Sequence, residues 1–214
     1  PSESSELFQK AASWFEENGY FYEAMQHAFS ANDTEFAADM MERALEKGNI
    51  WSGGNLSALL HWLDSLPKSL LYSRPYLSLL AVPIVCAAVR FEQAEQLLFQ
   101  TELNLSNQKI DLSEKLRALI EFYRGGIALM KGEISKAKEF TLNALKLIPK
   151  EDFLFQSRIT SNLAQAYELA GELGQAIQYY QKASELGFAA EATYLAINAR
   201  AAMAFVLRSQ GKLH

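Results

Sequence analysis

The residues best suited to chemistry are three histidines, one cysteine and scattered serines and carboxylates. No two of the histidines, His27, His61 and His214, are four residues apart, and none is spaced with Cys86 as a zinc ligand. No Gly-x-Ser-x-Gly motif marks a nucleophilic serine, and the many carboxylates have no spacing that singles out an acid–base pair. The sequence therefore predicts neither a metal site nor catalysis, and it favours a protein that works by binding.

The single cysteine and the tryptophans are interpreted first as packing residues. Cys86 lies in an apolar run, so we expect a buried free thiol and no intrachain disulfide. Trp14 and Trp62 follow helical patterns and are expected in the core, although ligand stacking is the alternative. Trp51 lies in a Gly- and Ser-containing segment, where it could pack against a neighbouring domain. The expected role of His27 and His61 is structural packing.

Aromatic, amide and guanidinium side chains recur in the C-terminal half and could line a binding groove. The candidates are Phe122, Tyr123, Arg158, Asn162, Gln165, Tyr194 and Asn198, with Arg208 beside them. Planar rings combined with amide or guanidinium donors suit sugars and short peptides. Each residue taken singly could equally belong to a solvated helix face, and the sequence leaves both interpretations open.

A glycine followed five residues later by an alanine recurs along the chain, and this repeat indicates the helices that would position these side chains. The pairs are Gly132/Ala137 and Gly171/Ala176, and Gly211 opens a third repeat after intervals of 39 and 40 residues. This period predicts an all-α fold, a right-handed superhelix of antiparallel hairpins with one hairpin per repeat. Small residues at matching places would allow close helix approach; they are Gly125, Ala164, Ala204, Ala144 and Ala183. The candidate residues lie on the first helices, which would line the concave groove.

Helical periodicity also covers the N-terminal half. We expect helices over about 4–17, 21–31, 35–47, 56–66, 75–89 and 91–103, with a kink at Pro83 in the fifth. Residues 48–55 and 105–110 are predicted loops, and Pro67 ends the fourth helix. The first loop divides the chain into an N-terminal helical segment, 1–54, and a superhelical segment, 55–214. The apolar run 76–89 is shorter than the roughly 20 residues that cross a bilayer.

Charge and composition narrow the classes of partner. The net charge is −5, with 20 Lys and Arg against 25 Asp and Glu, and no cluster of basic residues stands out. This balance disfavours direct contact with nucleic acid, which requires clustered cations. We expect no membrane contact, and a cysteine-poor chain without a signal peptide favours a cytoplasmic location. Because the chain lacks an initial Met and stops where a second helix should begin, we expect a piece of a longer protein.

Residues 157–187 resemble the tetratricopeptide repeat. The matching residues are Ala164, Tyr167, Gly171, Ala176, Tyr180 and Ala183. The preceding repeat, 112–149, matches at Gly125, Ala128, Gly132, Ala137, Ala144 and Pro149, and departs at Arg124 and Thr141. This resemblance implies a helical scaffold and no particular ligand.

The N-terminal half resembles the large MalT-type regulators of the LuxR family. The first matching segment contains Ala11, Ala12, Trp14, Phe15, Gly19, Glu23, Ala24, His27, Ala28, Ala31, Asp33, Ala37 and Ala38. The second contains Leu59, Trp62, Leu63, Leu66, Pro67, Arg74 and Pro75. Pro83 and Cys86 depart from the smoother Leu/Ala helix that is usual in the family.

The resemblance implies a signal-receiving region that works with neighbouring domains of the same chain. In that family a nucleotide switch, which uses ATP, precedes such a region, and a helix-turn-helix DNA-binding domain ends the chain. Small-molecule inducers or inhibitory proteins supply the signal. This sequence itself contains no phosphate-binding loop and no basic recognition helix, so no cofactor is expected here. A stand-alone tetratricopeptide scaffold and a surface used only for self-assembly are the alternatives.

Overall fold

The computed structural model describes residues 3–46, 56–107 and 114–211, which form α-helices and no strand. The expected all-α fold is confirmed. In the first half the helices are α1 (Glu3–Glu17), α2 (Phe21–Ser30), α3 (Thr34–Glu46), α4 (Leu56–Ser65), α5 (Lys68–Ser73), α6 (Pro75–Ala87) and α7 (Phe91–Asn107). In the second half they are α8 (Glu114–Met130), α9 (Ile134–Leu147), α10 (Phe153–Leu169), α11 (Leu173–Ala189) and α12 (Thr193–Ser209).

The helices group into two compact units, Pro1–Ile110 and Asp111–His214. The first unit includes helices on both sides of the loop at which the sequence analysis divides the chain. Arg74, before α6, donates hydrogen bonds to Glu35 and Asp39 of α3, and Trp62 of α4 packs against the ring of Phe29 in α2. The compact unit therefore extends past residue 54. The loop itself, with Trp51, lies outside the described residues.

Helix α1 turns Ala12 and Phe15 inward but leaves Trp14 exposed. Ala12 is fully buried, and the ring of Phe15 stacks on His27 of α2 at 5.1 Å. Trp14 is 55% exposed, so its expected place in the core is wrong. Residues 5, 8, 12 and 15 share one stripe of the helix, and Trp14 falls one residue off that stripe. The packing role expected for His27 is confirmed.

Helix α4 differs from expectation at His61. Trp62 and Leu63 are buried, as expected, but His61 is exposed and its predicted packing is wrong. The short helix α5 follows Pro67, where the sequence showed only a break. Helix α7 continues to Asn107 and buries Leu105, because an apolar contact extends the helix through a segment that the polar sequence pattern marked as loop.

The central helix of the first unit carries the long apolar run. Helix α6 continues through Pro83 and buries most of its residues on all sides. Cys86 is among them, which confirms the expected buried thiol, and burial raises its pKa to about 11. Among the described residues, no helix is both long and apolar enough to cross a membrane.

The second unit repeats a helical hairpin. Helix α8 packs on α9, α10 packs on α11, and α12 packs on α11; α10 also contacts both α8 and α12. The first helices therefore lie side by side. At the end of each first helix a glycine takes the left-handed conformation, with φ of +74° at Gly132 and +76° at Gly171. Because L-residues are strained there, the glycine spacing in the sequence reports the turn positions directly.

Other small residues lie where two helices approach each other closely. A Cβ at Gly187 of α11 would lie 2.8 Å from the backbone nitrogen of Ala196 in α12. A Cβ at Gly125 of α8 would lie 2.6 Å from Oγ1 of Thr141 in α9. Tyr180 fills the space between α10, α11 and α12, and its hydroxyl donates to Glu168 at 2.7 Å. Small residues thus bring the backbones together, and large ones pack around the contact.

Replacing Gly187 with alanine should destabilise the second unit. The added methyl group meets backbone atoms that cannot rotate away, so Gly187→Ala should lower the free energy of unfolding by about 1–3 kcal/mol. Gly174→Ala is the matched control on the same helix, where nothing lies within 4 Å of the added Cβ. It should be neutral or stabilise by up to about 1 kcal/mol. Urea denaturation followed by far-ultraviolet circular dichroism measures both; equal losses would contradict the close-approach explanation.

Replacing Val89, in the turn between α6 and α7, should stabilise the protein. It has a φ of +60° and is 69% exposed, so a β-branched residue occupies a left-handed conformation without burying much surface. Val89→Gly should raise the free energy of unfolding by about 1 kcal/mol. Ala87→Gly, two residues earlier in the helix, should not stabilise. Urea midpoints compare them, and a destabilised Val89→Gly protein would rule out backbone strain at this turn.

Candidate functional site

The candidate ligand-binding residues of α8 and α10 lie at the contact between these two helices. The ring of Phe122 in α8 lies 5.3 Å from that of Tyr123 and 5.8 Å from that of Phe155 in α10. The guanidinium carbon of Arg158 lies 5.7 Å from the centre of the Phe122 ring and 5.6 Å from that of Phe155. Two aromatic rings, Phe122 and Phe155, therefore lie beside Arg158, and Tyr123 packs against the first of them.

Asn162 and Gln165 extend this group along α10. Asn162 lies one helical turn beyond Arg158 and so shares its face. It lies beside Gly126 of α8, where a Cβ would be 3.7 Å from the Asn162 amide nitrogen. Gln165 is exposed. We name as the Arg158 cluster the residues Phe122, Tyr123, Phe155, Arg158 and Asn162.

The first turn of α10 fixes the position of the cluster. Asp152 is the N-cap residue, and its carboxylate accepts a hydrogen bond from the backbone N–H of Phe155 at 3.1 Å. The same carboxylate forms a salt bridge of 3.5 Å with Lys115 of α8. One side chain thus starts the helix and ties its beginning to the neighbouring first helix.

Phe122 is a core residue, and this changes the role expected for it. It is 8% exposed and packs with Ala118, Ala144, Ile148 and Ile159. Its ring is not an open stacking surface, because helix α9 and the body of α10 cover it. Tyr123 and Arg158 are half-buried, and they present the accessible part of the cluster.

The candidate residues of α12 stand apart from the cluster. Tyr194 is 63% exposed and Asn198 is exposed, and no contact described for either residue joins it to Arg158. Arg208, near the end of α12, lies 4.3 Å from the centre of the Phe205 ring.

Phe155 belongs to the site and was missed in the sequence analysis. The signal that could have found it is Asp152, whose capping role places Phe155 in the first turn of α10.

Nearby acidic groups already have partners. Glu121 of α8 bonds Arg124 at 3.4 Å and accepts from Asn143 at 3.3 Å. Glu168 of α10 accepts from the hydroxyl of Tyr180, and burial together with this hydrogen bond raises the pKa of that phenol. Arg158 is engaged by aromatic rings, and no hydrogen bond or ion pair to a carboxylate of the described residues holds it.

The first unit contains a separate cavity of about 720 Å³ beside α2 and α4. Its lining includes His27, Phe29, His61 and Trp62, and it includes no Lys or Arg. The Phe29 and Trp62 rings are stacked on each other at 6.1 Å, and His27 is stacked on Phe15. The aromatic rings of this lining thus also take part in the packing of the first unit.

The arrangement defines an all-α hairpin protein with aromatic, amide and guanidinium groups at a helix contact, a set suited to binding. No protein-family model matches the chain. The chain is 28% identical over 211 residues to the HTH-type transcriptional regulator MalT of Yersinia enterocolitica. The MalT proteins of Yersinia pestis and Yersinia pseudotuberculosis match to the same degree. These matches cover 99% of this chain and 23% of each relative, and they confirm the resemblance to MalT-type regulators.

Two substitutions separate the buried part of the site from its surface. Phe122→Ala should lower the free energy of unfolding by about 3–5 kcal/mol, because it leaves a cavity among α8, α9 and α10. Gln165→Ala should change it by no more than about 0.5 kcal/mol, because the side chain is exposed. Chemical denaturation measures both. A Phe122→Ala protein as stable as the parent would show that the ring does not support the fold.

Proposed function

We propose that this chain is the signal-receiving and protein-interaction region of a MalT-type transcriptional regulator. The observation that carries the proposal is the similarity to MalT over 99% of the chain. The hairpin layout of the second unit supports it, because adjacent first helices offer a continuous surface for a ligand. Under this proposal the hairpins continue a tetratricopeptide-like, right-handed superhelix whose first helices line the groove.

The proposed region acts by binding. A small-molecule inducer or a regulatory protein contacts the accessible part of the Arg158 cluster, with Gln165, Tyr194 and Asn198 as flanking contacts. The ligand prefers one arrangement of the hairpins relative to neighbouring domains, and its differential affinity shifts the population. The ATP-dependent switch and the DNA-binding domain are supplied from outside residues 1–214. The regulator works in the cytoplasm, and this region touches neither DNA nor membrane.

An antibody raised against this chain tests the transcriptional role without knowledge of the inducer. In the cells that produce the protein, an immunoblot should show a product several times larger than the 24.0 kDa of this chain. Chromatin immunoprecipitation with the same antibody should enrich a small set of promoters. A product near 24 kDa without promoter enrichment would instead support a stand-alone tetratricopeptide scaffold.

Substitutions in the full-length protein that contains this chain then test the binding surface. The double variant Asn162→Ala/Gln165→Ala should lower the transcript level of the enriched promoters by at least about fivefold, a typical size for lost coupling between sites. Gln178→Ala, an exposed change on α11, is the matched control and should leave transcripts unchanged. Equal transcripts in the double variant, the control and the parent would exclude this surface as the receiving site.

A further inference from the structure

The two units carry opposite charge. Residues 1–110 contain 7 Lys and Arg against 14 Asp and Glu, whereas residues 111–214 contain 13 against 11. The overall charge of −5 therefore conceals a basic second unit. A basic region within an acidic chain attracts anions locally, since screening confines each field to about 10 Å at moderate salt.

The excess lies on the first helices and on α9, which carries three basic residues against one acidic residue. Helices α8, α10 and α12 together carry six basic residues against three acidic ones. Helix α12 contains Arg200 and Arg208 and no acidic residue. Two of the three glutamates, Glu121 and Glu168, are already engaged by Arg124 and Tyr180. The first helices therefore carry more cations than carboxylates, and two of these cations, Lys115 and Arg124, are themselves paired with Asp152 and Glu121.

Arg158 differs from most other arginines of the structure. Arg43, Arg74, Arg90 and Arg124 each bond a carboxylate, at distances between 2.5 and 3.4 Å. Arg158 is half-buried beside two aromatic rings, and none of the described carboxylates lies within ion-pair distance of it. Partial burial of a cation without an anion costs free energy, and a bound anion would offset that cost.

The guanidinium of Arg158 lies beside the rings of Phe122 and Phe155, at 5.7 and 5.6 Å from their centres. A guanidinium group can donate two parallel hydrogen bonds to a carboxylate or phosphate. Asn162, one turn further along the same face, supplies an amide donor beside Gly126, which has no side chain to obstruct it.

We propose that the ligand of the Arg158 cluster carries an anionic group, a carboxylate or a phosphate, that Arg158 binds with Asn162 as second donor. This inference rests on the proposed function, in which the ligand binds at this cluster. The group belongs either to an acidic peptide segment or to a small organic or inorganic anion.

Titration calorimetry on the 214-residue chain tests the inference with defined probes. A capped hexaglutamate peptide, citrate and inorganic phosphate represent the peptide and small-anion sources, and capped hexaglutamine is the uncharged match. At least one anion should bind more tightly than hexaglutamine. Arg158→Gln should weaken that binding by at least about fivefold, because it removes charge-assisted hydrogen bonds. Arg158→Lys keeps the charge and should retain more of the affinity than Arg158→Gln.

The control is Lys182→Gln, which removes one exposed positive charge from α11 and changes no member of the Arg158 cluster. It should leave the affinity unchanged, and circular dichroism should show that all variants keep their helical content. Hexaglutamate binding alone identifies an acidic peptide, and citrate or phosphate binding identifies a small anion. No preference for any anion over hexaglutamine, or equal losses in Lys182→Gln and Arg158→Gln, would overturn the inference.

Transcript levels from the enriched promoters, measured in cells that carry variants of the full-length protein, separate failure of this inference from failure of the proposed function. If Asn162→Ala/Gln165→Ala lowers the transcripts and Arg158→Gln does not, the surface receives the signal without an anion, and only the inference fails. If neither variant changes them, the surface does not receive the signal and both fail. Loss of transcripts in both variants, together with the calorimetric preference, is the expected result.

Discussion

The contact distance between neighbouring helices is the constraint on which the second unit depends. Gly187 and Gly125 bring α11 to α12 and α8 to α9 closer than any side chain would allow. That approach places Tyr180 at the contact of three helices and leaves the first helices side by side. Arg158 lies beside rings from α8 and α10, at the contact of these two first helices.

The two units use different means to join their helices. In the first, long apolar residues of α6 form the centre, and Arg74 links the turn before α6 to the acidic face of α3. In the second, repeated small residues and half-buried aromatic residues join one hairpin to the next; Lys138 of α9, for example, lies 4.3 Å from the Tyr167 ring centre and bonds Glu172. The first arrangement is specific to one place in the chain, whereas the second can be repeated.

The candidate site combines a packed aromatic ring with a cation that has no ion-pair partner among the described carboxylates. Phe122 is held by the core, and Asp152 fixes the start of α10, the helix that carries Arg158. Under the proposed function, a surface whose side chains are already packed would bind its ligand at a lower entropy cost. A change in the α8–α10 contact would also change the surroundings of Arg158.

The sequence by itself determined the all-α fold, the hairpin repeat and the turns at Gly132 and Gly171, because these depend on local backbone preference and on periodicity. It also singled out Arg158 and Asn162 as neighbours on one helix face. Only the tertiary structure decided that Trp14 is exposed and that Phe122 is buried, because the choice of inward face depends on which helices pack together. The sequence also could not show that none of the described carboxylates pairs with Arg158, since ion pairs across helices follow from three-dimensional placement.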